Sequence, residues 1–214
     1  MAYRMAQQTA HDARTRLLHA AVNVIRAKGY AATTVDGLCA TAGVSKGSFF
    51  HHFKGKDAIA LAAVEQFSTM AAERFAAAPY HQASDPLERL LGYVDFRVSI
   101  LTGELPEFTC LLGTLVQETY DTHPDIRDAC DRGMSAHIAE LTRDVALAQQ
   151  RYCPTAEWTP ESVGYFMQSV LQGSFIFAKA AQNAEVVRES LAHLRRYLEM
   201  LFGQPSDTQR EVRP

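Results

Sequence analysis

Between residues 33 and 53 the chain reads TTVDGLCATAGVSKGSFFHHF, a stretch that sets hydroxyls, a thiol, a lysine and two histidines close together. Thr33 and Thr34 precede a short helical stretch, where a hydroxyl caps free backbone N–H groups. Ser45 repeats the arrangement ahead of Lys46-Gly47-Ser48. Adjacent His51 and His52 diverge by about 100° on a helix and cannot share a metal. Gly43 to Ser48 has the flavour of a phosphate loop, but lacks the G-x-x-x-x-G-K-[ST] spacing and follows no strand. The chain contains no G-x-S-x-G, no H-E-x-x-H and no glycine-rich dinucleotide fingerprint, so no catalytic set, cofactor or metal is expected. Four cysteines (Cys39, Cys110, Cys130, Cys153) lie far apart, with neither a C-x-x-C pair nor zinc spacing, and read as reduced thiols. Cys110 heads the apolar run Cys110-Leu111-Leu112 and reads as a structural thiol, with a redox or electrophile sensor as the alternative.

The remaining chemistry is contact with a polyanion. The formal net charge is −3, but residues 1–56 hold eight basic and two acidic side chains, a net of +6. The other 158 residues hold 13 basic and 22 acidic groups, a net of −9. A basic first quarter on an acidic body points one end at nucleic acid.

These residues need elements to hold them. From Asp12 to Lys28, Leu17, Leu18, Ala21, Val22 and Ile25 recur at helical spacing, with Gly29 as the stop. A second helix runs from Thr33-Thr34 to about Thr41, and a third from Lys46 to His52, closed by Gly55. A long fourth begins near Lys56 and runs to Pro79. Asp85-Pro86 opens the next, to about Leu101, and Gly103–Phe108 is a break. Further helices follow at about Thr109–Thr119, Pro124–Gln150, Pro160–Gln182 and Ala184–Phe202, with 204–214 read as a disordered tail. No stretch alternates long enough to be a strand. The expectation is an all-α chain of about nine helices. Residues 1–57, with three helices, and residues 58–203 are expected to form separate domains.

Val35, Leu38, Val44, Phe49 and Phe53 are spaced to form one small core around a reversal at Gly43, where positive φ is cheap only without a Cβ. That is a helix-turn-helix, whose second helix fits the major groove of B-DNA. The stretch from Thr33 through Ala42-Gly43-Val44-Ser45-Lys46-Gly47-Ser48-Phe49-Phe50-His51-His52-Phe53 to Lys56 closely resembles the DNA-binding signature of the tetracycline-repressor (TetR) family. The first helix (Ala13, Leu17, Ala20, Ala21, Val24, then Gly29-Tyr30) shares the resemblance. It covers about residues 11–60 in detail, and the remainder only in helix number and length.

The resemblance implies a homodimer that binds a palindromic operator, represses, and is released by a small hydrophobic effector. It assigns DNA contact to Thr33, Thr34, Ser45, Lys46, Gly47, Ser48, Phe50, His51, His52 and Lys56. Lys46 and Ser48 are the base readers, while Thr34 and Lys56 take phosphate. The family usually has tyrosines where this chain has Phe50 and His52. Phe50 cannot donate a hydrogen bond and is left with apolar contact to a thymine methyl; His52 still donates, and gains charge below about pH 6.5.

The last helix sets Val187, Leu191, Leu194, Leu198 and Leu201 at spacings of 4, 3, 4 and 3, a heptad-type seam. The helix before it is apolar over much of its surface, including Val163, Val170 and Phe177. These residues are expected to pair with a second copy, an intrachain core being the alternative. The pocket that the resemblance implies is assigned to Phe67, Met70, Tyr93, Phe96, Cys110, Leu111, Leu115, His137, Phe166 and Met167. With no run of 18 apolar residues and no signal-peptide core in Met1 to His11, the expectation is a cytoplasmic protein without a membrane partner. A DNA-free carrier of hydrophobic ligands would explain the aromatics but not residues 33–56. An enzyme in a helical bundle would need an acid, base or metal set that is not visible.

Overall fold

The computed structural model describes residues 2–203, with side chains from Asp12 onward; the tail expected at 204–214 lies outside the described residues. All described regular structure is helical: α1 (Ala2–Lys28), α2 (Val35–Ala42), α3 (Lys46–His52), α4 (Lys56–Ala76), α5 (Pro86–Ser99), α6 (Leu105–Phe108), α7 (Leu111–Thr119), α8 (Pro124–Tyr152), α9 (Pro160–Ala181) and α10 (Glu185–Leu201), with a 3-10 turn at Pro79–Gln82. Three expected element bounds are corrected. α1 starts before Asp12, and the break at 103–108 contains a helix of one turn, which brings the α-helices among the described residues to ten, in line with the expectation of about nine. The fourth helix stops at Ala76 rather than Pro79 because the proline ring forces Ala78 into the extended region (φ −71, ψ 143).

The caps sit where the sequence puts them. The side chains of Thr34, Ser45, Asp85 and Thr159 accept the N–H groups of Gly37, Ser48, Leu87 with Glu88, and Ser162. Each such cap contributes about 1 kcal/mol, which matters most for the short helices α2 and α3.

Packing divides the chain into two compact units. The first holds the residues through Ala72 together with Thr109–Met134, and the second holds Glu73–Phe108 and the chain from Ser135 onward. In the first, Leu17, Ala21, Ile25, Leu38, Phe49, Ile59, Leu111 and Leu115 form one core drawn from α1, α2, α3, α4 and α7. The α1–α2 turn is gripped by Glu118, whose carboxylate accepts the N–H of Tyr30 (3.0 Å) and of Ala31 (2.8 Å). Gly29, at φ +83, lies so close that a Cβ there would run into that carboxylate. Tyr30 O–H donates to Asp57 at the start of α4, and burial followed by that bond raises its pKa.

In the second unit, Leu90, Tyr93 and Val94 of α5, Val145 of α8, Met167 and Leu171 of α9, and Val187, Leu191, Leu194 and Leu198 of α10 are buried together. The α10 seam was expected to face a second copy; the structure corrects this. Val187, Leu191, Leu194 and Leu198 are at most 2% exposed within one chain, and α10 packs on α9 and α5. A heptad spacing shows only that one face is apolar, and here the chain's own helices cover it. Ion pairs Arg89–Asp144 (2.7 Å) and Arg195–Asp95 (3.1 Å) tie α5 to α8 and α10.

Candidate nucleic-acid interface

The reader is built on a turn that glycine makes cheap. Gly43 has φ 62 and ψ 42, and the N–H groups of Gly43 and Val44 bond back to Ala40 O and Cys39 O. A Cβ there would meet nothing closer than Arg16 Nη1 at 3.7 Å, so the requirement for glycine is conformational, not steric. Arg16 Nη1 reaches Gly43 O at 3.5 Å. Leu38, Phe49 and Phe53 are buried behind the turn, with Phe49 and Phe53 ring centroids 5.8 Å apart. Burying those rings fixes which face of α3 is left outward.

That outward face carries Ser45, Lys46, Gly47, Phe50 and His51, all exposed, with Ser48 and His52 half-buried. Ser45 Oγ is committed to the N–H of Ser48 at 3.1 Å, so it braces the helix start. The Lys46 ammonium lies 2.8 Å from Asp36 Oδ1, and this bond raises the lysine's pKa. Both side chains are largely exposed, so the pair is weak and holds Lys46 only loosely. Phe50 is 54% exposed and packs edge-on to Phe49 at 5.3 Å, an apolar knob in the middle of the face. Burial, and then His51, lower the pKa of His52, so it gains charge at a lower pH than the sequence alone suggests.

One expected DNA contact is placed differently. Thr33 is 1% exposed and its hydroxyl donates to Gly29 O at 2.6 Å, so it locks the α1–α2 turn rather than facing outward. Thr34, exposed, is the cap of α2. Lys56 donates to Tyr30 O at 3.1 Å with its ammonium 4.1 Å from the Tyr30 ring centre, so its reach is set by the same turn. Sequence reasoning did not single out Asp36, Arg16 or Glu118. The last lies 87 to 88 positions from its backbone partners, and no local pattern signals such a pairing.

The residues assigned to a pocket are divided between the two units. Phe67, Met70, Cys110, Leu111 and Leu115 belong to the first unit, while Tyr93, Phe96, His137, Phe166 and Met167 belong to the second. Leu111 and Leu115 are fully buried core, Met70 is 51% exposed, and Phe67 lies under the Arg26 guanidinium. Cys110 is half-buried and caps α7, accepting the N–H of Gly113. Phe166 is exposed and packs on Tyr197 at 4.7 Å, whereas Met167 is core. Tyr93, Phe96 and His137 do meet, around Phe75. Of the residues assigned to pairing, Val163 is buried within the chain, Val170 is half-buried and Phe177 is 64% exposed. Beside Phe177, α9 and α10 also expose Tyr165, Ile176, Tyr197 and Met200.

Among the described residues no group of three or more His, Cys, Asp or Glu is placed to hold a metal, and no helix is long and apolar enough to cross a membrane. The family described as bacterial regulatory proteins, tetR family, matches residues 17–63, and the tetracyclin repressor-like C-terminal domain matches residues 86–194. The HTH-type transcriptional repressor NemR of Escherichia coli (strain K12) is 26% identical over 191 residues, 89% of this chain and 96% of its own length. The HTH-type transcriptional repressor DhaR of Mycobacterium sp. (strain GP1) is 22% identical over 178 residues, 83% of this chain and 88% of its own. A TetR regulatory protein from Rhodobacter sphaeroides shares the fold at TM-score 0.76 and 24% identity, over 86% of this chain and 97% of that one. A TetR regulator from Chloroflexus aurantiacus J-10-FL does so at TM-score 0.78 and 21% identity, over 89% and 96%. With a helix-turn-helix whose outward face is the one just described, the chain belongs to the tetR family of DNA-binding transcription regulators.

Proposed function

We propose that this regulator binds a palindromic operator as a homodimer, represses, and is released by a small effector taken up in its C-terminal part. The observation that carries the reading is α3: a helix anchored by buried Phe49 and Phe53 that turns Lys46, Gly47 and Phe50 outward. Lys46 and Ser48 then read bases, while Thr34 and Lys56 position the backbone through phosphate. One such reader gains little over non-specific binding. Two held rigidly by a dimer, about 34 Å apart, match successive major-groove half-sites.

The pairing face we assign is the exposed apolar surface of α9 and α10: Tyr165, Ile176, Phe177, Tyr197 and Met200. Exposed large apolar groups clustered on two helices mark an association site, and a symmetric dimer covers such a patch with its own copy. Release follows as a population shift. α4 begins beside the reader at Lys56 and contributes its last residues to the second unit, so an effector that favours another setting of α4 changes the spacing of the two readers. The effector shifts the equilibrium only by its difference in affinity for the two settings.

The test is a gel-shift and footprint with the DNA just upstream of the chain's own gene. Protection of an inverted repeat, lost on Lys46→Ala, supports the reading. Absence of sequence-selective binding overturns it and leaves the DNA-free carrier.

A further inference from the structure

The polar cluster at the centre of the second unit has more donors than acceptors, and its one charge is positive. Arg97 Nε donates to Tyr93 Oη at 2.9 Å, and Arg97 Nη2 reaches His137 Nε2 at 3.1 Å. A guanidinium can only donate, so His137 Nε2 is the bare nitrogen and the ring proton sits on Nδ1. Gln168 Nε2 also donates to Tyr93 Oη, at 2.8 Å, and the Tyr93 hydroxyl itself lies 3.0 Å from the same His137 lone pair. Tyr93 and Gln168 are 2% and 8% exposed, so those two side chains depend on partners inside the cluster.

Arg97 is half-buried, and among the described residues no carboxylate lies within ion-pair distance of it. The neighbouring acids are already taken: Asp144 pairs with Arg89, Asp95 with Arg195 and Glu140 with Arg143. The bonds to Tyr93 and His137 use one edge of the guanidinium. Its end-on fork, Nη1 with the second N–H of Nη2, makes no hydrogen bond to a described residue. That fork matches a carboxylate bidentately. The ring of Phe75 lies 4.3 Å below the guanidinium, and Phe96 and Tyr80 pack beside Phe75 and Tyr93. A charge beside aromatic faces is what an organic acid with an apolar body would meet.

We infer that the end-on fork of Arg97 anchors the carboxylate of a small, mostly apolar organic acid, whose body lies against Phe75, Phe96 and Tyr80. The inference rests on the reading that the C-terminal part takes up an effector, and narrows that effector from any hydrophobic compound to an anionic one. Tyr93, His137 and Gln168 are positioning residues: they hold the used edge of Arg97 and leave its end-on fork without a described partner. A merely structural role, bracing α5 against α8 and α9, predicts no preference for an anion.

The test compares charged and neutral probes of one shape on the full chain. Benzoate and hexanoate are titrated by calorimetry and by thermal shift, beside benzamide and hexanamide. The expected result is that at least one acid binds ten-fold or more tightly than its amide, and that Arg97→Gln removes the preference. Because Arg97→Gln also alters a buried network, its circular dichroism and unliganded melting point are measured; if it fails to fold, the acid-to-amide ratio on the wild type decides. Equal binding of acid and amide, binding of neither acid, or a preference unchanged in a folded Arg97→Gln overturns the inference. The wider reading is scored apart, by a gel-shift. Release of operator by an amide keeps the effector reading and removes the anion. Failure of the unliganded protein to bind operator removes the wider reading whatever the calorimetry shows.

Discussion

Replacing His137 by glutamine isolates a stability term that depends on pH. Burial, and then the Arg97 charge, push the pKa of His137 from 6.5 down to about 3. The physical reason is visible: its Nε2 accepts from a guanidinium 3.1 Å away, so a proton there would replace a hydrogen bond by the contact of two cations. The native state therefore holds His137 neutral over a range in which the unfolded chain protonates it. Between about pH 6.5 and pH 3 the unfolded state binds more protons, so stability is full above pH 6.5 and is lost as pH falls. At pH 5 this one group accounts for about 2 kcal/mol of the loss relative to pH 7. His137→Gln keeps an acceptor for Tyr93 and Arg97 through its amide oxygen but cannot titrate. Urea denaturation at fixed protein concentration, at pH 7, 6 and 5, is the assay. The variant is expected to be less stable than wild type at pH 7, where the ring's packing on Phe75 is lost, and to lose about 2 kcal/mol less on going to pH 5. The other seven histidines are common to both proteins and cancel in the difference. Parallel profiles from pH 7 to pH 5 would show that His137 takes up a proton in the folded state as readily as in the unfolded chain, and a neutral His137 held by Arg97 would be refuted.

Three further outcomes separate the assigned roles. Leu194→Glu places a charge at a site 2% exposed within one chain and should unfold the second unit, at a cost of several kcal/mol, whereas Phe177→Glu, at a site 64% exposed, should leave a folded monomer with weak operator binding. Circular dichroism with light scattering distinguishes these, and a dimeric Phe177→Glu with full operator affinity would place the interface elsewhere. Lys56→Ala should weaken all DNA sequences about equally and lower the salt slope by about one, while Lys46→Ala should relax preference at one or two operator positions; gel-shifts on single-base operator variants at two salt concentrations report both. Glu118→Ala leaves the N–H groups of Tyr30 and Ala31 without their acceptor and should cost about 1–3 kcal/mol, read as faster amide exchange at those two residues; unchanged exchange would mean that water replaces the carboxylate freely.

The reader was legible in the chain because its determinants are local. Thr34 and Ser45 cap helices three residues ahead, Gly43 turns on its own φ, and Leu38, Phe49 and Phe53 lie within sixteen positions of one another. Short-range hydrogen bonds and conformational preference act between neighbours, so residue type and spacing carry them. Proline and capping signals likewise placed the starts of α5, α8 and α9. Periodicity, by contrast, names an apolar face without naming what covers it. The seam of Val187, Leu191, Leu194 and Leu198 has the spacing that a partner helix wants, and the chain's own α5 and α9 take it. Thr33 reads in the sequence as a DNA contact, but the fold aims its hydroxyl at Gly29 O. The cluster of Arg97, Tyr93, His137 and Gln168 joins positions as far as 75 residues apart, and Glu118 reaches back 88 to the α1–α2 turn. Such pairings depend on which faces three helices turn toward one another, a choice made by the burial of the whole apolar surface and not by any one segment.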